Sequence, residues 1–143
     1  MIKNRSVPTN CILPHVYYDN LAEAVTWLIK VFGFIEYYRI ELSHGQLHGV
    51  MMYHGDAWVM LKDSGRNRTS QSKLVNATHS LMVFVDDVDE HYRHVKTLGA
   101  QIVQELFDTE YGERLYSAKD PEGHLWEFSK HIRDVSPDSF GAR

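Results

Sequence analysis

The stretch VYYDNLAEA (16–24) lines up with VFVDDVDEH (83–91) at an offset of 67 residues. Self-similarity of this kind marks a structural unit used twice, and it constrains the fold more than any single motif. In each copy an aromatic and β-branched run ends at an amide or acid, Asn20 or Asp87, with Glu23 or Glu90 three positions later. That spacing is a capping-box pattern, in which a side-chain oxygen takes a free N–H of a helix's first turn. Apolar residues then recur at helical spacing: Leu21, Ala24, Val25, Leu28 and Phe32, and again Val88, Tyr92, Val95 and Leu98. Gly33 and Gly99 follow, where a helix end needs a left-handed backbone. Strand-like runs come next, FIEYYRIEL, QLHGVMMYH and AWVMLK in the first copy, then QIVQEL, RLYSAK and HLWEFS in the second. Each copy predicts β-α-β-β-β, with helices near 20–32 and 87–98. The fold class is α+β, built from two tandem βαβββ modules.

The first module is expected over 11–62 and the second over 78–130, within a single domain over 1–143. Between them DSGRNRTSQSKLVNA (63–77) is polar and aperiodic, which predicts a linker or surface flap. Residues 131–143 are expected to form a tail, an arm lying over a partner subunit. A net charge of −4 argues against a nucleic-acid binder, which usually carries a basic stripe. Cys11 is the single cysteine, so no internal disulfide forms and a reducing compartment is expected. MIKNRSVPTN lacks a signal peptide's apolar core, and no run approaches the roughly 20 apolar residues that span a bilayer. A cytoplasmic protein without membrane partners is the expectation.

The segment KDPEGHLWEF (119–128) raises a chemical question. Pro121 and Gly123 predict a tight turn, and the strand after it places one carboxylate, Glu127, between Trp126 and Phe128. By period-two alternation the two aromatics face one side and Glu127 the other, with Leu125 and Ser129. A carboxylate in mid-strand faces solvent or a cleft, where it can accept hydrogen bonds, take a proton or bind metal.

Two β-α-β-β-β modules closed by this Asp-Pro-x-Gly-x-x-x-Glu motif resemble the vicinal oxygen chelate superfamily. That group includes glyoxalase I, extradiol dioxygenases, fosfomycin-inactivating enzymes and bleomycin-resistance proteins. The resemblance covers about residues 11–130, and YGERLYSAKDPEGHLWEF is similar to the branch of small bleomycin-resistance-like and PhnB-like proteins. It implies curved mixed sheets around a cleft, each module supplying half, completed within the chain or by a second subunit. It also implies metal ligands, typically His, Gln or Glu, on the first and last strands of both modules. Carried over, those positions fall on Leu13, Met60 (Val59 if the hairpin shifts by one), Ser80 and Glu127. Leu, Met and Ser are poor donors for a hard or borderline divalent cation, so a metal-free cleft without cofactor is expected.

Alternation from those positions nominates the lining. His15 and Tyr17 share the face of Leu13, Trp58 shares that of Met60, and Met82 and Phe84 share that of Ser80. Together with Arg114, as a partner of Glu127 or a clamp for an anion, they form the candidate ligand-binding set. The same residues also fit an ordinary core. His79 turns away from the cleft unless a bulge reverses it. His91 and His94, on the second helix, are expected to face water. The leading expectation is a homodimer holding a small, partly aromatic molecule for sequestration, as in drug resistance. The alternatives are a metal-dependent lyase, isomerase or dioxygenase, and metal-free acid–base catalysis by Glu127.

Overall fold

The computed structural model describes residues 12–65 and 79–140. From residue 66 to 77 the expected linker lies outside the described residues. Module one comprises β1 (His15–Tyr18), α1 (Leu21–Trp27) continuing as a π-helical turn (Leu28–Phe32), β2 (Ile35–Glu41), β3 (Leu47–His54) and β4 (Ala57–Asp63). Module two repeats the order with β5 (Leu81–Phe84), α2 (Val88–Thr97), β6 (Gln101–Asp108), β7 (Glu113–Lys119) and β8 (Leu125–His131). The strand orders are β1-β4-β3-β2 and β5-β8-β7-β6. In each sheet the first strand lies parallel to the last while the other pairs are antiparallel, so both sheets are mixed. No helix among the described residues is long and apolar enough to cross a membrane.

The caps form as their spacing predicts. Asn20 Oδ1 accepts from the Glu23 N–H at 3.1 Å, and Asp87 Oδ1 accepts from that of Glu90 at 3.1 Å. Both helices run out at glycines with positive φ, Gly33 at 83° and Gly99 at 82°. One half of the first box differs. The backbone N–H of Asn20 goes to Glu122 Oε2 of module two, and that of Asp19 goes to Glu122 Oε1. A side chain from one repeat thus closes the helix start of the other.

Each helix packs on one face of its own sheet, and these helix-bearing faces turn toward each other. One continuous apolar core results, with Val16, Tyr18, Leu28, Phe32 and Leu61 of module one against Val83, Tyr116, Trp126 and Phe128 of module two. The wide π-helical turn brings Phe32 to the centre, edge-on to Trp126 at 5.8 Å and Phe128 at 4.9 Å. Edge-to-face rings at such spacings add to the area they bury.

A polar clamp joins the modules beside this core. Asp120, at the head of the Asp-Pro-Glu-Gly turn, is buried. Its Oδ2 accepts from the Tyr18 hydroxyl at 2.5 Å and from Trp126 Nε1 at 3.1 Å. Its Oδ1 accepts from the Glu122 and His124 N–H groups at 3.1 and 3.0 Å, which shapes the turn. His124 Nε2 in turn meets the Tyr17 carbonyl at 2.8 Å. The turn that raised the question of Glu127 is itself a connector.

Of the two α2 histidines, His94 is exposed as expected while His91 is half-buried. Both reach carbonyls at the end of the first helix, His91 Nε2 meeting Phe32 O at 2.7 Å and His94 Nε2 meeting Lys30 O at 3.1 Å. Helix C-termini leave carbonyls without internal partners, so donors from a neighbouring element are favourable there. His91 Nδ1 also meets the Tyr116 hydroxyl at 2.6 Å. With Nε2 donating to a carbonyl, Nδ1 of the neutral ring accepts from Tyr116.

Candidate functional site

With the helix-bearing faces buried against each other, the opposite, open face of each sheet is left for function. On β4, Val59 and Leu61 enter the core, so Trp58 and Met60 stand on the open face. His15 lies opposite Met60 across β1 and β4, and Tyr17 opposite Lys62, whose ammonium sits 6.0 Å from the Tyr17 ring centre. Met51 lies opposite Met60 across β3 and β4. Met51 and Met60 form a small second core with Leu13, Tyr38 and Trp58. Gly49 fits this packing, because a Cβ there would lie 3.4 Å from Met60 Sδ.

Next to that methionine pair is an aromatic cluster that alternation alone does not reveal. Tyr53 and Trp58 stack at 4.9 Å with their planes 27° apart, and Tyr37 stands edge-on to Trp58 at 5.1 Å. Tyr37 and Tyr38 are neighbours in sequence, yet their rings lie 5.6 Å apart. The reason is a bulge: Glu36 pairs with Met52 and Tyr38 with Met51, leaving Tyr37 as an extra residue on β2. A bulge re-aims a side chain that would otherwise point to the far face.

The open face of module two is more polar. Glu127 lies opposite Met82 on β5 and Ser117 on β7, while Ser129 lies opposite Phe84 and Leu115. Glu127 is half-buried, and Ser80 Oγ donates to its Oε1 at 3.2 Å. Ser129 is fully buried, and its hydroxyl has no hydrogen-bond partner among the described residues. Met82 and Phe84 remain 39% and 56% exposed, an apolar rim beside the carboxylate.

Arg114 does not join this face. Three residues from Ser117 along β7, it has the opposite parity and points to the α2 side. There its guanidinium meets Asp89 at 3.1 Å and Asp108 at 2.8 Å. These carboxylates raise the Arg114 pKa, and the Arg114 guanidinium in turn holds the Asp89 carboxyl below its usual value, through hydrogen bonds first in both cases. His79 lines a crevice between the modules with Val16 and Trp126, on the side away from Ser80. Among the described residues no bulge carries it to Glu127.

The donors at the positions where the superfamily resemblance implies a metal can now be tested. Module one offers the Leu13 alkyl group and the Met60 thioether, packed into an apolar patch. Module two offers the Ser80 hydroxyl and the Glu127 carboxylate, already bonded to each other. No group of three or more His, Cys, Asp or Glu residues with metal-binding geometry occurs among the described residues. One carboxylate with a hydroxyl and a thioether does not suit a divalent ion that prefers imidazole and carboxylate. The residues do not fit a metal centre of that kind.

Glu127→Gln is expected to change the unfolding free energy by about 0.5 kcal/mol or less, read by urea denaturation of the two proteins. Gln keeps an oxygen where Ser80 donates, and no ion pair is lost among the described residues. A loss of several kcal/mol would make Glu127 a structural residue instead.

Comparison with known proteins places this geometry. Residues 12–128 match the family model described as Glyoxalase/Bleomycin resistance protein/Dioxygenase superfamily. TioX from Micromonospora sp. ML1 superposes with a TM-score of 0.70 at 32% identity, covering 89% of this chain and 100% of that one. Uncharacterized protein Mb0911c of Mycobacterium bovis (strain ATCC BAA-935 / AF2122/97) is 29% identical over 135 residues, 90% of this chain and 88% of that protein. The fosfomycin resistance protein FosX from Listeria monocytogenes, in its hexagonal form, shares the fold at a TM-score of 0.63 and 15% identity, covering 85% of this chain and 93% of that one.

Proposed function

This chain belongs to the Glyoxalase/Bleomycin resistance protein/Dioxygenase superfamily, and we propose that within it the protein binds a small, partly aromatic molecule in a metal-free cleft. The aromatic cluster of Tyr37, Tyr38, Tyr53 and Trp58 beside the Met51–Met60 pair is the observation that carries this reading. Stacked rings and polarizable thioethers offer a flat apolar bed that accepts planar groups without strict geometry. Glu127, Ser80 and Ser117 on the second open face supply the few polar contacts that orient a ligand.

In this reading two copies of the chain complete the cleft, the open face of one protomer's first module meeting that of its partner's second. The exposed apolar side chains on those faces, Tyr37 at 54%, Met82 at 39% and Phe84 at 56%, support a covering partner. The protein works in the cytoplasm, where Cys11 stays reduced, and sequesters its ligand rather than transforming it.

The test is a thermal-shift and calorimetric screen of planar aromatic compounds, repeated on Trp58→Ala. A ligand that binds only the folded state must raise the melting temperature. Truncating Trp58 removes one face of the stack and is expected to weaken binding by about tenfold or more, given about 0.5–1.5 kcal/mol for an aromatic pair plus lost burial. Hits that bind Trp58→Ala as tightly as the wild type would remove the cluster from the site.

A further inference from the structure

We propose that the junction between the modules holds a second binding site, for an organic cation with an apolar body. The site lies where the β3–β4 turn meets β5, in a cavity of about 590 Å³. His54, Asp56 and Ala57 line it from module one, and Met82, Phe84 and Asp86 from module two. Its volume falls within the range of small-molecule pockets. It shares Met82 and Phe84 with the polar half of the cleft proposed above, yet His54 and Ala57 belong to the helix-bearing side. The aromatic cluster of module one contributes none of its lining.

The chemistry of the walls selects the ligand. Asp56 and Asp86 bring two carboxylates to the lining, and no lysine or arginine lines the cavity. Among the described residues neither carboxylate takes part in an ion pair. His54 does not balance them at neutral pH, because burial holds its imidazole below the ordinary value, against a smaller upward pull from Asp86. The cavity therefore carries negative charge beside an exposed phenyl ring and a flexible thioether. A cation near a phenyl face gains from the ring's quadrupole, and methionine adapts to the shape of an apolar body. An anion would meet repulsion from both carboxylates, and a neutral molecule would forgo the charge term.

Benzyltrimethylammonium is the probe, titrated into the full-length chain with backbone amide shifts as the readout and benzyl alcohol as the uncharged control. The expected result is saturable binding that moves the amides of Asp56, Ala57 and Asp86 and weakens as salt is added. The Asp56→Asn/Asp86→Asn double variant should bind at least about tenfold more weakly, as loss of two favourable charges implies. Both positions are exposed, so the variant's amide dispersion reports directly that it is folded. Trp58→Ala should bind the probe as the wild type does, which separates this site from the aromatic bed. The proposal is overturned by absence of saturation at millimolar probe, by equal binding of benzyl alcohol, or by a double variant that binds unchanged. Loss of probe binding in Trp58→Ala would also overturn it, by assigning the cation to the aromatic bed.

Discussion

Asp120→Ala is expected to lower the unfolding free energy by about 3–5 kcal/mol, measured by urea denaturation, the largest loss for any single side chain considered. The carboxylate accepts from the Tyr18 hydroxyl, Trp126 Nε1 and the Glu122 and His124 N–H groups. Tyr18 and Trp126 are 0% and 1% exposed, so their donors gain no water when the acceptor goes. A buried donor left unmatched costs about 1–3 kcal/mol, and hydrogen bonds to a charged group are worth about 1.5–3 kcal/mol each. Burial, with the Asp120 charge beside it, holds the Tyr18 phenol well above its ordinary range, so it remains a donor at any working pH. Tyr18→Phe removes one of the four bonds and should cost about 1.5–3 kcal/mol. A near-neutral Asp120→Ala would mean that the turn relaxes and hydrates, and the clamp would lose its energetic meaning.

The second large effect is acid lability set by His91. Burial pushes this imidazole down from 6.5 to about 4, against an upward pull from the Phe32 carbonyl and with smaller downward contributions from His54 and His94. The folded ring thus stays neutral where the unfolded chain takes up a proton. Above pH 6.5 the two states bind equal protons and the contribution is constant. As pH falls from 6.5 toward 4 the unfolded state binds more, so stability falls. At about 1.4 kcal/mol per unit the accumulated loss is about 3 kcal/mol. His54, lowered mainly by burial, adds a smaller loss of the same sign. His91→Gln should flatten the stability profile between pH 6.5 and 4.5, above the range where most carboxylates titrate. An unchanged slope in that variant would assign the acid sensitivity elsewhere.

How far the sequence carries these conclusions depends on whether a feature is local. The caps at Asn20 and Asp87 and the glycine stops need only neighbours along the chain, and they stand at the residues that suggest them. Alternation along β8 likewise separates Glu127 from Trp126 and Phe128, which are buried as expected. Arg114 shows the limit. Its side relative to Glu127 depends on the β7–β8 register, and the turn at Asp120–Gly123 sets Ser117, not Arg114, opposite Glu127. Tyr37 reaches the aromatic cluster through a bulge, which exists only once β2 and β3 have paired. His91 and His94 read as solvent-facing because their partners, the Phe32 and Lys30 carbonyls, lie about 60 residues away on the other module, and helical periodicity has no range over that distance.

The reciprocal stitching of the repeats bears on cooperativity. Module two lends Glu122 to the start of α1 and two histidines to its end, so the first helix has both termini satisfied by the other half of the chain. Phe32, from that helix, completes the ring packing around Trp126 and Phe128 in return. Neither half retains the shared interior when the other opens. Local opening of one repeat would expose the same aromatic surface as global unfolding, leaving no intermediate in which half the molecule is native. Amide exchange in the slowest residues of β4 and β8 should therefore report a single opening free energy, shared by both copies of the repeat.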